Sequence, residues 1–148
     1  MKLQITVNDI PMSGYTYINP QYGQDISNLD NVASDNECIE IFADKIIDHI
    51  PIMNMFNIIS AWCKKLRHGG KIILGGTDSY ELARNYLLGN VDTITYNKAI
   101  YGTQDAAWNI KRSCISLKDL VDLLQQLGLK IKKKRLDGVQ MVVEAQRD

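Results

Sequence analysis

The chain has 148 residues, 45% of them hydrophobic and 23% charged, which is the balance of a packed globular protein and excludes a disordered tail. Its 17 basic and 17 acidic side chains cancel, so composition offers no nucleic-acid footprint, and the length suits a single domain with its own core. Three scattered cysteines (Cys38, Cys63, Cys114) point to reduced thiols in a cytoplasmic setting, and no run approaches the roughly 18 apolar residues of a membrane span.

In chain order, the opening segment Met1–Ile5 lacks the apolar stretch of a signal peptide. Lys2–Val7 alternates and is β-branched, a first strand closed by Asn8-Asp9-Ile10-Pro11. Ser13-Gly14 marks a turn, and Tyr15–Ile18 is a second short strand halted at Asn19-Pro20. No helix fits between these two strands. The sheet should therefore be thinly covered on one side, an apolar flank that would favour self-association. Tyr22–Asn36 is polar, with one short strand or 3₁₀ turn expected near Ile26–Leu29. Cys38–Phe42 is a compact apolar strand, followed by Ala43-Asp44-Lys45 and a helical turn through Ile46, Ile47 and Ile50.

Pro51 suits the first turn of a helix over Met53–Leu66, where Met55, Ile58, Ile59, Trp62 and Leu66 share one face. The cations at its end, through Arg67-His68, suit the negative pole of that helix. Gly69-Gly70 then turns the chain into a central strand, Lys71–Leu74. Asp78 or Ser79 caps a helix whose inner face is Leu82, Ala83, Tyr86 and Leu87, stopped by Gly89. Asn90–Ala107 has no clear period and reads as a long loop with room for one short helix. Ser116 and Asp119 form a capping box opening a helix through Leu127, with Leu120, Val121, Leu123, Leu124 and Leu127 as its apolar stripe.

Two last strands, Leu129–Leu136 and Val139–Gln146, join at Asp137-Gly138, the dipeptide of a tight hairpin. Read with period two, Lys130, Lys132, Lys133, Lys134 and Arg135 lie on a solvated strand face; phosphate binding is the alternative. Parallel strands need helical crossovers, and the terminal hairpin adds an antiparallel edge. The expected architecture is a three-layer α/β sheet, mostly parallel, with Lys71–Leu74 between Cys38–Phe42 and the hairpin.

The ordered set of segments resembles the class I S-adenosylmethionine-dependent methyltransferases, in particular a small bacterial and phage branch of predicted methyltransferases with a Rossmann-like fold. Pro11-Met12-Ser13-Gly14-Tyr15 is similar to that branch's Pro-x-x-Gly-Tyr step, and Ile46-Ile47-Asp48-His49 to its Leu-Glu-His step. Leu66–Gly70 is similar to its Leu-Lys-Pro-Gly-Gly, and Tyr101-Gly102-Thr103-Gln104 to its Tyr-Gly-x-Gln loop. The resemblance covers nearly the whole chain. It implies S-adenosylmethionine as cofactor, held by Val7, Asn8, Asp9, Asn19, Ala43 and Asp44. It places Asp48 and His49 in the catalytic position, and Tyr101, Gln104 and Trp108 against a small-molecule or glycan acceptor.

Three departures mark the cofactor site as eroded, or the cofactor as lost. The segment Gln4–Asp9 has no glycine where the branch brings backbone close to the cofactor. Asn19 stands where relatives carry the acid that receives the ribose, and Lys111 where many carry a His. Each site residue also has a structural reading. His49 and Asp48 would cap the helix after Pro51, Tyr101 and Trp108 would pack a loop, and Gly75-Gly76 would relieve crowding. No Ser-His-Asp order, P-loop or metal-spaced cluster is present. Two functions stay open: an enzyme transferring methyl groups, or a non-catalytic binding or assembly module on the same scaffold.

Overall fold

The computed structural model describes residues 1–7 and 9–148; Asn8, expected in the loop after the first strand, lies outside the described residues. Strands β1 (Lys2–Ile5), β2 (Thr16–Ile18), β3 (Cys38–Ala43) and β4 (Leu66–Thr77) run parallel. The hairpin strands β5 (Lys130–Asp137) and β6 (Gln140–Gln146) join through β6, antiparallel to β4. The result is one six-stranded sheet in the order β2-β1-β3-β4-β6-β5, with Lys71–Leu74 in the centre as expected.

Strand register separates the two faces of this sheet. One row reads Leu3, Ile41, Ile72, Ala145 across β1, β3, β4 and β6, and all four side chains are fully buried. Helices α1 (Ile52–Lys65) and α4 (Leu117–Gln126) cover that face with Met55, Ile59, Trp62, Leu120 and Leu124, in one continuous cluster. Each such side chain contributes about 1.5–3 kcal/mol through burial. Pro51 opens α1, and the Ser116–Asp119 capping box opens α4, both as the local sequence requires.

The opposite face is different. Its rows are Lys2, Glu40, Lys71, Gln146 and Gln4, Phe42, Ile73, Glu144. Lys71 Nζ stands 3.2 Å from both Glu40 and Glu144, and the Tyr15 hydroxyl donates to Glu40. The β1–β2 link lies over this face, tied by Gln4, which donates to the Ile10 carbonyl at 2.9 Å and accepts from Met12 N–H at 2.7 Å. The thin cover is therefore present, but the expected apolar flank is corrected. Alternation along the strands places ion-paired groups there, and these tolerate water.

Other expectations change for equally local reasons. Helix α1 ends at Lys65, and Arg67 and His68 belong to the extended start of β4 instead of the helix end. Cys38 pairs with Leu66 but Glu40 pairs with Lys71, so the intervening residues of β4 bulge, with Gly69 at φ 78°. The chain end holds this bulge: Gly69 N–H donates to Arg147 O at 2.8 Å, and His68 Nδ1 lies 2.7 Å from Asp148 O. Lys65 turns inward, 2.5 Å from Asp30 and 2.8 Å from Asp35, and so pins the 24–36 segment. That segment holds neither the expected strand nor a 3₁₀ turn near Ile26; the 3₁₀ turn precedes it, at Pro20–Tyr22.

Helix α2 (Ser79–Leu87) is capped by Asp78, yet only Leu82 is buried; Ala83, Tyr86 and Leu87 face outward. It packs against a further helix, α3 (Thr93–Tyr101), through Tyr86 and Tyr96 at 4.3 Å between ring centroids. Helix α3 occupies the expected long loop. None of its residues is buried, so no apolar period announces it. The cations of β5 are solvated on the sheet edge, where like charges discourage edge-to-edge pairing. No helix among the described residues is long and apolar enough to cross a membrane.

Candidate functional site

The strand order reverses direction at β1, which has β2 on one side and β3 on the other. Open α/β sheets bind ligands at such a switch point, outside the carboxyl ends of the strands. A cleft of about 570 Å³ lies there. Val7 enters it after β1, Pro20, Gln21 and Gln24 after β2, and His49 and Ile50 after β3. Asn54 and Ile58 of α1 form a wall, and Trp108 and Arg112 reach in from the segment before α4.

His49 Nδ1 lies 3.2 Å from the Ile110 carbonyl, so Nδ1–H donates and Nε2 keeps its lone pair. Burial lowers its pKa, against the pull of Asp48, and the ring is neutral near pH 7. Its neighbour Asp48 is sealed away at 3% exposure. The Asp48 carboxylate accepts Thr77 N–H at 3.0 Å and faces Lys111 Nζ at 3.3 Å. Its backbone carbonyl accepts both Arg112 N–H at 2.7 Å and Ser113 N–H at 3.1 Å. Asp48 therefore organises the segment before α4 and does not itself open to the cleft.

The glycine pair near the end of β4 explains how these acids fit. A Cβ at Gly75 would overlap the Asp44 carboxylate, and one at Gly76 would lie 2.6 Å from Asp48 Oδ1. Only glycine leaves that room, so the pair relieves crowding by the two acids. Asp44 sits half-buried just past β3, and burial pushes its carboxyl above the ordinary range. Ala43, the last residue of β3, is fully buried.

Asn19 is also fully buried, and its amide is engaged inside the protein. Nδ2 donates to Val7 O at 3.2 Å and to the Tyr17 hydroxyl at 2.8 Å, while Oδ1 accepts Gln21 N–H at 2.9 Å. Gln21 Nε2 adds a second donor to Val7 O at 3.0 Å. Thr6 is buried too; its hydroxyl accepts Asp9 N–H at 3.0 Å, which closes the loop on itself. The Asp9 carbonyl in turn accepts the Tyr17 hydroxyl at 3.0 Å.

The structure thus brings Val7, His49 and Trp108 into one cleft. Tyr101 and Gln104 line a separate hollow of about 330 Å³ beside α3. Asp9, Asn19, Ala43, Asp44 and Asp48 do not line the cleft. Sequence reasoning missed Gln21 and Arg112. The one available signal for Arg112 was its place directly after Lys111, where neighbouring side chains diverge.

Among solved structures the chain is similar to a SAM-dependent methyltransferase from Methanosarcina mazei, with 15% identity and a TM-score of 0.62 over 99% of this chain and 82% of that one. It is similar to an O-methyltransferase family protein from Burkholderia thailandensis at 9% identity and TM-score 0.61, covering 90% of this chain and 36% of the other. It also resembles the 1,6-didemethyltoxoflavin-N1-methyltransferase of Burkholderia thailandensis, solved with 1,6-didemethyltoxoflavin and S-adenosylhomocysteine bound. That likeness has 9% identity and TM-score 0.58, over 90% of this chain and 51% of the other. The chain spans only about a third to a half of the two Burkholderia proteins. No protein-family model and no curated protein sequence matches it. At such low identity the likeness establishes architecture: the chain has a class I methyltransferase-like α/β fold, with a mixed sheet and antiparallel strands at its C-terminal end.

Proposed function

We propose that the cleft is an S-adenosylmethionine site in weakened form, on a relative of the small bacterial and phage methyltransferases, with a small-molecule or glycan acceptor. Its position at the switch point and its volume of about 570 Å³ suit a nucleoside-sized ligand. Two of the solved neighbours hold S-adenosylhomocysteine, the magnesium protoporphyrin IX methyltransferase of Synechocystis among them. That cofactor, when bound, supplies a methyl group on a sulfonium centre.

The observation that carries the weakening is the engaged amide of Asn19. At the end of β2, where an acid would receive the ribose hydroxyls, both donors and the carbonyl bond inward to Val7, Tyr17 and Gln21. The Val7 carbonyl is likewise taken, so the loop after β1 presents little backbone to a cofactor. The remaining half of the cleft is better equipped. Neutral His49 holds an acceptor lone pair, Trp108 supplies a flat face, and Asp48 positions the segment that carries both Arg112 and Ser113. Asp44 and Asp9 flank the cofactor region from the ends of β3 and β1.

Each lost charge-assisted hydrogen bond weakens binding by about 1.5–3 kcal/mol, and each 1.4 kcal/mol is about tenfold. Two such losses move a micromolar site toward millimolar. Titration of S-adenosylhomocysteine by calorimetry, with amide shifts followed by NMR, tests this. The expected result is binding near millimolar, with shifts at Val7, Gln21 and Trp108. Micromolar affinity would refute the weakening. No shift at several times that concentration would remove the cofactor and favour the second reading, a binding module without catalysis, which the inward-bonded Asn19 also supports.

A further inference from the structure

Resting on the reading of this cleft as the reaction site, we propose that Arg112 is its specificity-determining residue, selecting an acceptor that carries an anionic group beside a planar ring. The charged side chains lining the cleft are Asp25 and Arg112, with His49 neutral. Asp25 is occupied by its own turn: Oδ1 accepts Ser27 N–H at 2.9 Å and Ser27 Oγ–H at 2.6 Å. Arg112 has no carboxylate within ion-pair distance among the described residues, whereas the adjacent Lys111 is drawn inward to Asp48 at 3.3 Å.

The backbone that presents the guanidinium is firmly held. Arg112 N–H and Ser113 N–H both donate to Asp48 O, and Ser113 Oγ donates to Ile47 O at 3.1 Å. A planar guanidinium fork on a fixed base matches a carboxylate or phosphate in two parallel bonds. Trp108 in the same cleft offers a face for a ring, and Ile50 and Ile58 give apolar walls. An anion on the acceptor would thus orient its ring toward Trp108 and its reacting atom toward His49.

The test compares benzoate with benzamide, its neutral isostere, by NMR titration of the wild type, Arg112→Gln and Arg112→Lys. In the wild type, benzoate should bind about tenfold more tightly than benzamide. Arg112→Gln should bring the ratio to about one without changing benzamide, and Arg112→Lys should keep part of it. A wild-type ratio near one, no binding of either probe, or a ratio unchanged in Arg112→Gln overturns the proposal. A parallel arm compares S-adenosylhomocysteine with 5′-methylthioadenosine, which lacks the amino-acid carboxylate. That preference should not respond to Arg112→Gln. If it falls while the benzoate ratio stands, the arginine reads the cofactor tail and the acceptor assignment is wrong. Failure of S-adenosylhomocysteine to bind would sink the cofactor reading alone, since the benzoate ratio still decides Arg112. Thermal melts of both variants, altered only at an exposed side chain, check that the fold is intact.

Discussion

Adding one methyl group at Gly76 should be among the costlier single changes in this protein. A Cβ there would lie 2.6 Å from Asp48 Oδ1 and 2.7 Å from Ile47 Cγ1, closer than packed atoms approach. Neither neighbour yields easily. Ile47 is fully buried, and the Asp48 carboxylate is fixed by Thr77 N–H at 3.0 Å and Lys111 at 3.3 Å. Overpacking of this kind costs about 1–3 kcal/mol, and displacing the carboxylate weakens charged hydrogen bonds worth about 1.5–3 kcal/mol. Alanine recovers about 0.4–1 kcal/mol by restricting the unfolded chain.

The expected net loss for Gly76→Ala is about 2–4 kcal/mol, or a Tm roughly 5–15 °C lower at this chain length. Circular dichroism melts read it directly. In the Gly76→Ala, Asp48→Ala double variant the overlap with Oδ1 is gone. The combined loss should therefore fall short of the sum of the single losses by about 1 kcal/mol or more. A Gly76→Ala protein melting within about 2 °C of the wild type would refute the packing argument, as would two losses that simply add.

Lys65 is buried while Asp30 and Asp35 are largely exposed, so the two sides of this clasp should respond unequally. Lys65→Met leaves hydrated carboxylates and should cost less than Asp30→Asn with Asp35→Asn, which leaves the lysine without its counter-charges; urea melts giving the reverse order would disprove it. The hydrogen bond from Lys65 holds the Asp35 carboxyl below its ordinary value, so its stabilisation is full above about pH 4 and fades as pH falls through the depressed folded value. The stability gap between wild type and Lys65→Met should narrow accordingly in acid. His49 has a lowered pKa through burial, so the folded state resists its protonation: stability should be unaffected above about pH 6.5 and decline below it. An NMR titration midpoint for His49 at or above that pH would contradict this. Asn19→Asp should not repair the cofactor site but unfold more easily by about 2–4 kcal/mol, because the two Nδ2 donors to Val7 and Tyr17 disappear; a variant as stable as the wild type would show that Asn19 is not sealed. Burial pushes the Cys63 thiol up to about 12 and Cys114 up to about 11, so alkylation of both at pH 8 should be slow in the native protein, and rapid labelling would count against it.

The elements readable in advance were those whose cause lies within a few residues. The Ser116–Asp119 capping box, the Asp78 cap and the terminal hairpin close hydrogen bonds locally, and each stands where its residues put it. The unbroken apolar run Ile72-Ile73-Leu74 announced a strand buried on both faces, and hence its central place. The short helix allowed for in Asn90–Ala107 is α3, and its bounds could not be placed because it buries nothing and hydrophobic period is a record of burial. His49 and Trp108 were legible as candidates for one cleft, since the ends of parallel strands and the long segment before the last helix are where such sheets keep their ligands.

Contacts across strands were beyond reach of the sequence alone. Whether Asn19 faces a ligand or the interior depends on Val7 and Tyr17, which β1 and β2 bring together only when paired. The shift of Arg67 and His68 from helix to strand depends on the register between β3 and β4, and the ionic second face on that register continued into β6. Tyr101 and Gln104 parted from Trp108, and Arg112 joined it, through turns closed by long-range partners such as the Asp48 carbonyl. Local hydrogen bonds and burial patterns are written along the chain. The partner of a buried polar group is chosen by the packing of distant segments, and that is what decided the cleft.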